Sequence, residues 1–286
     1  MLICIDGSGP RSDFKYVKRM EQSFVRTIYL ESALTALDSE RSAALPPHSS
    51  WPSFSRGPYK LYRRGPDGVG SELVLPESLA GLVKHLWDSG DHQIFMAGFS
   101  RGGAIVINTA SLLRKMTTQD GSKIEVESLF LFDAVDRLFY LDGKTIPSNV
   151  RHCYHAIRNR KDGKSRESFR NCGLSRESPD TEMVENRDFH TTHGGMGGLG
   201  YGEGGIPAWK DPGDPLFSSN RPPVPWSSRE EKLAQGFIVE SFPDGPTKIT
   251  VAQEATGTIH VQRWMWKFLR HHRVFESRPA TDFYFA

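Results

Sequence analysis

Cysteine is scarce. Three residues, Cys4, Cys153 and Cys172, are scattered through 286 positions and no CxxC pair occurs. A zinc ribbon or a disulfide framework is thereby excluded, and packed, reduced thiols suited to a cytosolic origin are expected. An excess of one charge is also missing. The 36 Lys and Arg against 34 Asp and Glu leave a net charge of +2, too little to draw nucleic acid by bulk electrostatics. No apolar run approaches the roughly 20 residues of a membrane-spanning helix. The first residues, Met1-Leu-Ile-Cys-Ile-Asp6, are apolar but carry no basic leader and stop too soon for a secretory signal. The expectation is synthesis in the cytoplasm without a Sec signal, with export by another machine left open. No GxxxxGK[ST] occurs, and the glycines of 194–200 follow no convincing strand, so nucleotide phosphates are not expected as ligands.

What is present suits a globular chain: 37% hydrophobic and 24% charged residues, with length enough for a substantial core. Strands are expected at 2–5, 59–62, 93–97, 126–132, 150–157 and 248–252. Helices are expected within 14–37 and at 76–89, 101–116 and 258–272. Pro76 is placed near the first turn of its helix and Gly90 just past the end. The region 39–58 reads as a surface loop. Strand and helix alternate through the centre, which predicts a mostly parallel sheet flanked by helices. The simplest organisation is one domain over 1–286, with the Gly- and Pro-rich stretch 194–226 as a loop or lid-like insertion near the active site.

Gly98-Phe-Ser-Arg-Gly102 is a GxSxG motif set between a buried strand and an apolar helix. A nucleophilic serine needs that context: a sharp turn that exposes its hydroxyl above the sheet, with glycines where strand and helix nearly touch. Ser100 is therefore the candidate nucleophile, and the Arg101 backbone N–H at the helix N-terminus a candidate oxyanion donor. The competing reading, a serine that only caps its helix, explains less of the context.

A serine needs a base, and the base an orienting acid. Asp133 follows the apolar run Leu129-Phe-Leu-Phe132 and falls at the strand edge from which Ser100 emerges; Asp136 is its rival. Among ten histidines, His193 stands out in the loop Thr191-Thr-His-Gly-Gly-Met-Gly-Gly198, with His190 as the alternative. His152 and His155 read as structural residues of a strand, and His260, His271 and His272 as surface residues of the last helix. The second oxyanion donor is expected from Asp6-Gly-Ser-Gly9, through Gly7 or Ser8. No metal or cofactor is called for.

These segments together resemble one family, the GFSRG α/β-hydrolases that include lipase effectors of bacterial type VI secretion. The resemblance rests on Ile3-Cys-Ile-Asp-Gly-Ser8, Gly98-Phe-Ser-Arg-Gly102, Phe132-Asp-Ala-Val135 and His193-Gly-Gly-Met-Gly-Gly198, in the family's order over roughly residues 2 to 200. Ser8 and Ala134 stand where the family carries Thr. The resemblance implies an α/β-hydrolase-like fold and a triad of Ser100, Asp133 and His193. It also implies a serine esterase or lipase, phospholipase-like, working through an acyl-enzyme. An antibacterial effector would further imply an immunity protein as partner and a peripheral membrane contact. Arg158, Arg160, Lys161, Lys164, Arg166 and Arg170 would supply cations for anionic headgroups. The alternative is a catalytically silent α/β-hydrolase-fold binding protein.

Overall fold

The apolar run at the start of the chain becomes a central strand of a parallel sheet. The computed structural model describes residues 1–8, 20–37, 58–65, 71–136, 143–159, 171–199, 237–242 and 245–276. In chain order the elements are β1 (Leu2–Ile5), α1 (Phe24–Glu31), β2 (Thr35–Ala36), β3 (Tyr59–Arg63), α2 (Ser71–Asp88), β4 (Phe95–Phe99), α3 (Arg101–Arg114) and β5 (Val126–Phe132). They continue with β6 (Thr145–Ile146), β7 (Val150–Arg158), β8 (Ser175–Arg176), β9 (Glu182–Phe189), α4 (His193–Met196), β10 (Phe237–Phe242), β11 (Gly245–Thr250) and α5 (Val251–His271).

Seven strands form the main sheet in the order β2-β3-β1-β4-β5-β7-β9, every neighbouring pair parallel. The chain leaves β1 toward β3 on one side and returns to β4 on the other. The crevice at the carboxyl ends of β1 and β4 is thus a topological switch point, where ligands bind in open α/β sheets. The architecture is α/β-hydrolase-like, a mostly parallel sheet between helical layers.

Side chains of β1 alternate between two cores, as a period-2 strand covered on both faces requires. Met1, Ile3 and Ile5 join Leu79, Leu82 and Val83 of α2 and Ile105, Val106 and Leu113 of α3. Leu2 and Cys4 join Phe24 and Ile28 of α1 with Val261, Met265 and Leu269 of α5. All three cysteines are buried free thiols, and burial pushes Cys153 and Cys172 well above the usual thiol range.

Two helices start earlier than the sequence pattern suggests. α2 begins at Ser71 and carries Pro76 inside it, which forgoes one ladder bond at that position. α5 begins at Val251 rather than near 258, under a capping box in which Thr250 and Gln253 exchange hydrogen bonds. Gly257 obscured that start, and the structure explains it: a Cβ there would meet the His190 carbonyl oxygen at 2.1 Å. The strand expected at 248–252 is β11, which ends at Thr250. The strand β9 was not foreseen. Its residues Glu182-Met-Val-Glu-Asn-Arg-Asp-Phe189 lie at the sheet edge, where several polar side chains remain exposed and apolar alternation is lost. Residues 39–57 of the expected loop 39–58, residues 200–226 of the expected insertion and the cations between 160 and 170 lie outside the described residues. Arg158 is described, and it is buried at the end of β7 rather than on a surface loop.

Candidate active site

β4 delivers Ser100 at the switch point, and α3 starts at the next residue. The backbone of Ser100 turns sharply, with φ 56° and ψ −127°. A non-glycine residue at positive φ costs about 1–3 kcal/mol and persists only where the surroundings fix it. Here they do. Ser100 N–H donates to Phe132 O at 3.0 Å, and Ser100 O accepts from Gly103 N–H at 3.0 Å and Val135 N–H at 3.1 Å. The two motif glycines permit the close approach. A Cβ on Gly98 would lie 2.7 Å from Gly102 O, and one on Gly102 would lie 2.2 Å from Ile5 O. Among the described residues only Ser100, Asp133 and Arg273 are non-glycine with positive φ, so two of the three fall in this site.

His193 Nε2 lies 2.9 Å from Ser100 Oγ, and His193 Nδ1 lies 2.7 Å from Asp133 Oδ2. All three residues are buried. The sequence separation of 60 residues between acid and base closes into a single hydrogen-bonded chain. With Asp133 ionised, Nδ1 carries the proton and donates it, which turns the Nε2 lone pair toward the serine hydroxyl. Burial works against the Asp133 carboxylate. The hydrogen bond and charge of His193, the Arg158 guanidinium and the Arg158 backbone N–H outweigh it and hold Asp133 below the usual carboxylate range.

Sequence reasoning missed the residues that hold this chain in place. Asp133 Oδ1 accepts Asn171 Nδ2–H at 3.0 Å and Arg158 N–H at 3.4 Å. The buried imidazole of His155 accepts Ala134 N–H through Nε2 at 3.2 Å. Thr192 caps the short α4 by accepting Gly195 N–H at 3.0 Å, and its hydroxyl donates to the buried carboxylate of Glu254 in α5. Phe99 lies against His193 with ring centroids 5.0 Å apart. Of these, only His155 was singled out from the sequence, as a structural residue of a strand; Thr192, which caps α4, was a further signal that could have been read.

The other candidates lie nearby. His190 is exposed at the end of β9, and Asp136 is half-buried beyond Asp133; the bonds to Ser100 and to His193 come from His193 and Asp133. Gly7 N–H donates to Asp6 Oδ1 at 2.8 Å, so that amide is already engaged, whereas Ser8 accepts a hydrogen bond from Arg101 Nε through its hydroxyl. Asp6 is itself buried, and Tyr62 O–H donates to its Oδ2 at 2.9 Å.

An α/β sheet with Ser100, His193 and Asp133 joined in this order at its switch point defines a serine hydrolase. Comparison with known proteins does not narrow that class: no family model matches the chain, and no curated protein matches it. A solved structure from Lactobacillus plantarum WCFS1, described as a candidate cell surface hydrolase, is similar at 10% identity over 66% of this chain and 82% of that chain, with a TM-score of 0.31. At that level the likeness adds nothing to what the geometry carries.

Proposed function

We propose that the protein is a carboxylic ester hydrolase acting on lipid esters through a Ser100 acyl-enzyme. The observation that carries this reading is the chain from Ser100 Oγ through both nitrogens of His193 to Asp133. His193 Nε2 takes the Ser100 proton as Oγ attacks the ester carbonyl, and Asp133 stabilises the imidazolium that forms. The tetrahedral oxyanion is held by the Arg101 N–H at the start of α3 and by an amide of the loop after β1, with Ser8 favoured because Gly7 is engaged by Asp6. His193 then protonates the departing alkoxide. A water activated by the same imidazole attacks the acyl-enzyme, releasing the carboxylic acid and restoring Ser100.

Phospholipid is the preferred substrate by resemblance of the four motif segments to lipase effectors of type VI secretion. On the same ground the protein is read as an antibacterial effector, exported without a Sec signal, with an immunity protein covering the Ser100 cleft. The chain is read as one domain, with 194–226 as a loop or lid-like insertion near the active site. No described helix is long and apolar enough to cross a membrane. The resemblance implies a peripheral contact with lipid.

Hydrolysis of p-nitrophenyl esters of graded chain length, followed by mixed phospholipid micelles, tests the reading. Turnover of long-chain esters and release of fatty acid from phospholipid, both lost in Ser100→Ala, are expected. Turnover restricted to acetate would remove the lipid assignment. No turnover of any ester would favour the silent binding protein.

A further inference from the structure

The sheet edge opposite Ser100 holds a second convergence of reactive side chains. Glu127 is near the start of β5, His152 near the start of β7, and His272 directly follows α5. His152 Nε2 stands 3.7 Å from Glu127 Oε1, and His272 Nδ1 stands 3.9 Å from the same oxygen. One ligand atom from each residue falls within 4.8 Å of the others. These gaps are too long for hydrogen bonds. They approach the roughly 3.4 Å that separates neighbouring donors when each lies about 2.1 Å from one tetrahedral ion.

The atoms turned away from the centre are all engaged. His152 Nδ1–H donates to Glu182 Oε2 at 3.0 Å, and His272 Nε2 is hydrogen-bonded to the Tyr154 hydroxyl at 2.8 Å. Glu127 Oε2 accepts from Arg151 Nη1 at 3.3 Å. For His152 this is the arrangement of a metal-ligating histidine, in which a carboxylate on the remote nitrogen fixes the tautomer and aims the other lone pair inward; the Tyr154 hydroxyl can accept the remote N–H of His272 in the same way. The side chains of Glu127 and His152 are 21% and 27% exposed, so the centre is open from their side, while His272 closes it from below.

We propose that Glu127, His152 and His272 bind one Zn2+ ion, with water as the fourth ligand, in a structural site that staples the end of α5 to β5 and β7. Two imidazoles and a carboxylate suit Zn2+ better than the all-oxygen shells of Mg2+ or Ca2+. The site is remote from the hydrolytic chain, because the β5 strand between Glu127 and Asp133 spans about 20 Å. Its effect on the enzyme passes through α5, which also carries Glu254 and Gly257 under the His193 loop.

The test uses the full chain after chelator treatment. Zn2+ is titrated calorimetrically, Co2+ by visible absorption, and diethyl pyrocarbonate modification of histidines is mapped by mass spectrometry with and without Zn2+. The expected result is one equivalent bound at about micromolar or tighter affinity, with tetrahedral Co2+ bands. A melting temperature raised by about 5 °C in excess Zn2+ should accompany it. Zn2+ should shield His152 and His272, and the double variant His152→Gln/His272→Gln should bind at least about 30-fold more weakly while still labelling at Ser100. Absence of stoichiometric binding, undiminished binding in the double variant, or shielding confined to other histidines would overturn the site. Should the double variant not fold, the footprint of the wild-type chain decides by itself, since it reads the two ligands directly.

Discussion

His155 accepts the backbone N–H of Ala134 through Nε2 at 3.2 Å, and Ala134 is the residue after Asp133. Its Nδ1 then carries the proton and donates to Gly173 O at 3.3 Å. One neutral imidazole thus joins the acid-bearing turn to the segment that supplies Asn171. Burial pushes the His155 pKa down to about 4. Between pH 6.5 and 4 the unfolded chain takes up a proton here that the native state refuses. Stability therefore falls through that window as the pH is lowered, by about 3 kcal/mol from this residue. His155→Gln retains a side-chain acceptor and removes the titration. Urea denaturation at stepped pH should show a shallower acid-side decline for the variant than for the wild type, and equal slopes would refute the assignment.

Asp6 carries the opposite sign. Burial raises its pKa to about 6, against hydrogen bonds from Ser23, Gly7 and Tyr62 that work to lower it. A carboxyl raised in the native state contributes stability below its unfolded pKa near 3.8, and that contribution is lost as the pH rises through 6. Asp6→Asn should be more stable than the wild type at pH 8 by about 3 kcal/mol, with the difference vanishing below pH 4. Thermal melts at both pH values would check it; a variant less stable at pH 8 would contradict it.

Asn171 donates to the Asp133 oxygen that does not face His193. Asn171→Ala should lower kcat roughly 10-fold with KM little changed, because the bond fixes the acid and touches no substrate. Asp133→Asn should be far worse, roughly 10^4-fold in kcat, since an amide there favours the wrong imidazole tautomer. Steady-state kinetics on a soluble ester separate the two, and equal losses would remove the distinction between holding the acid and being it.

Gly257 packs its α-carbon against the carbonyl of His190, three residues before His193. Gly257→Ala should cost about 1–3 kcal/mol by overpacking. It should also slow acylation of Ser100 in the protein that remains folded, because the displaced segment leads directly to the base. A variant with lowered stability but full activity per folded molecule would show that the loop absorbs the shift.

Much of this site was legible where chemistry and periodicity coincide. Gly98-Phe-Ser-Arg-Gly102 lies between β4 and α3 because a nucleophile turn needs both a buried strand and glycines, and each leaves a sequence trace. Asp133 was legible because the apolar run Leu129-Phe-Leu-Phe132 that closes β5 ends there. His193 was separable from His190 only by loop composition; the structure separates them by the Thr192 cap and its bond to Glu254. What escaped depends on contacts that no local pattern encodes. Asn171, Arg158 and His155 converge on the Asp133 turn from distant segments. His272 read as a surface residue of the last helix, yet it lies against Tyr154, Phe95 and Phe130. The strand β9 escaped because an edge position relaxes the demand for apolar alternation.

His193 activates Ser100, and reaction with a fluorophosphonate reads that activation at the serine itself. Intact-protein and peptide mass spectrometry should find one adduct, on Ser100. The adduct should be absent in Ser100→Ala and formed at least about 100-fold more slowly in His193→Ala. A wild-type chain that stays unlabelled both in buffer and with detergent micelles, or one labelled on another serine, would show that Ser100 is not the activated nucleophile.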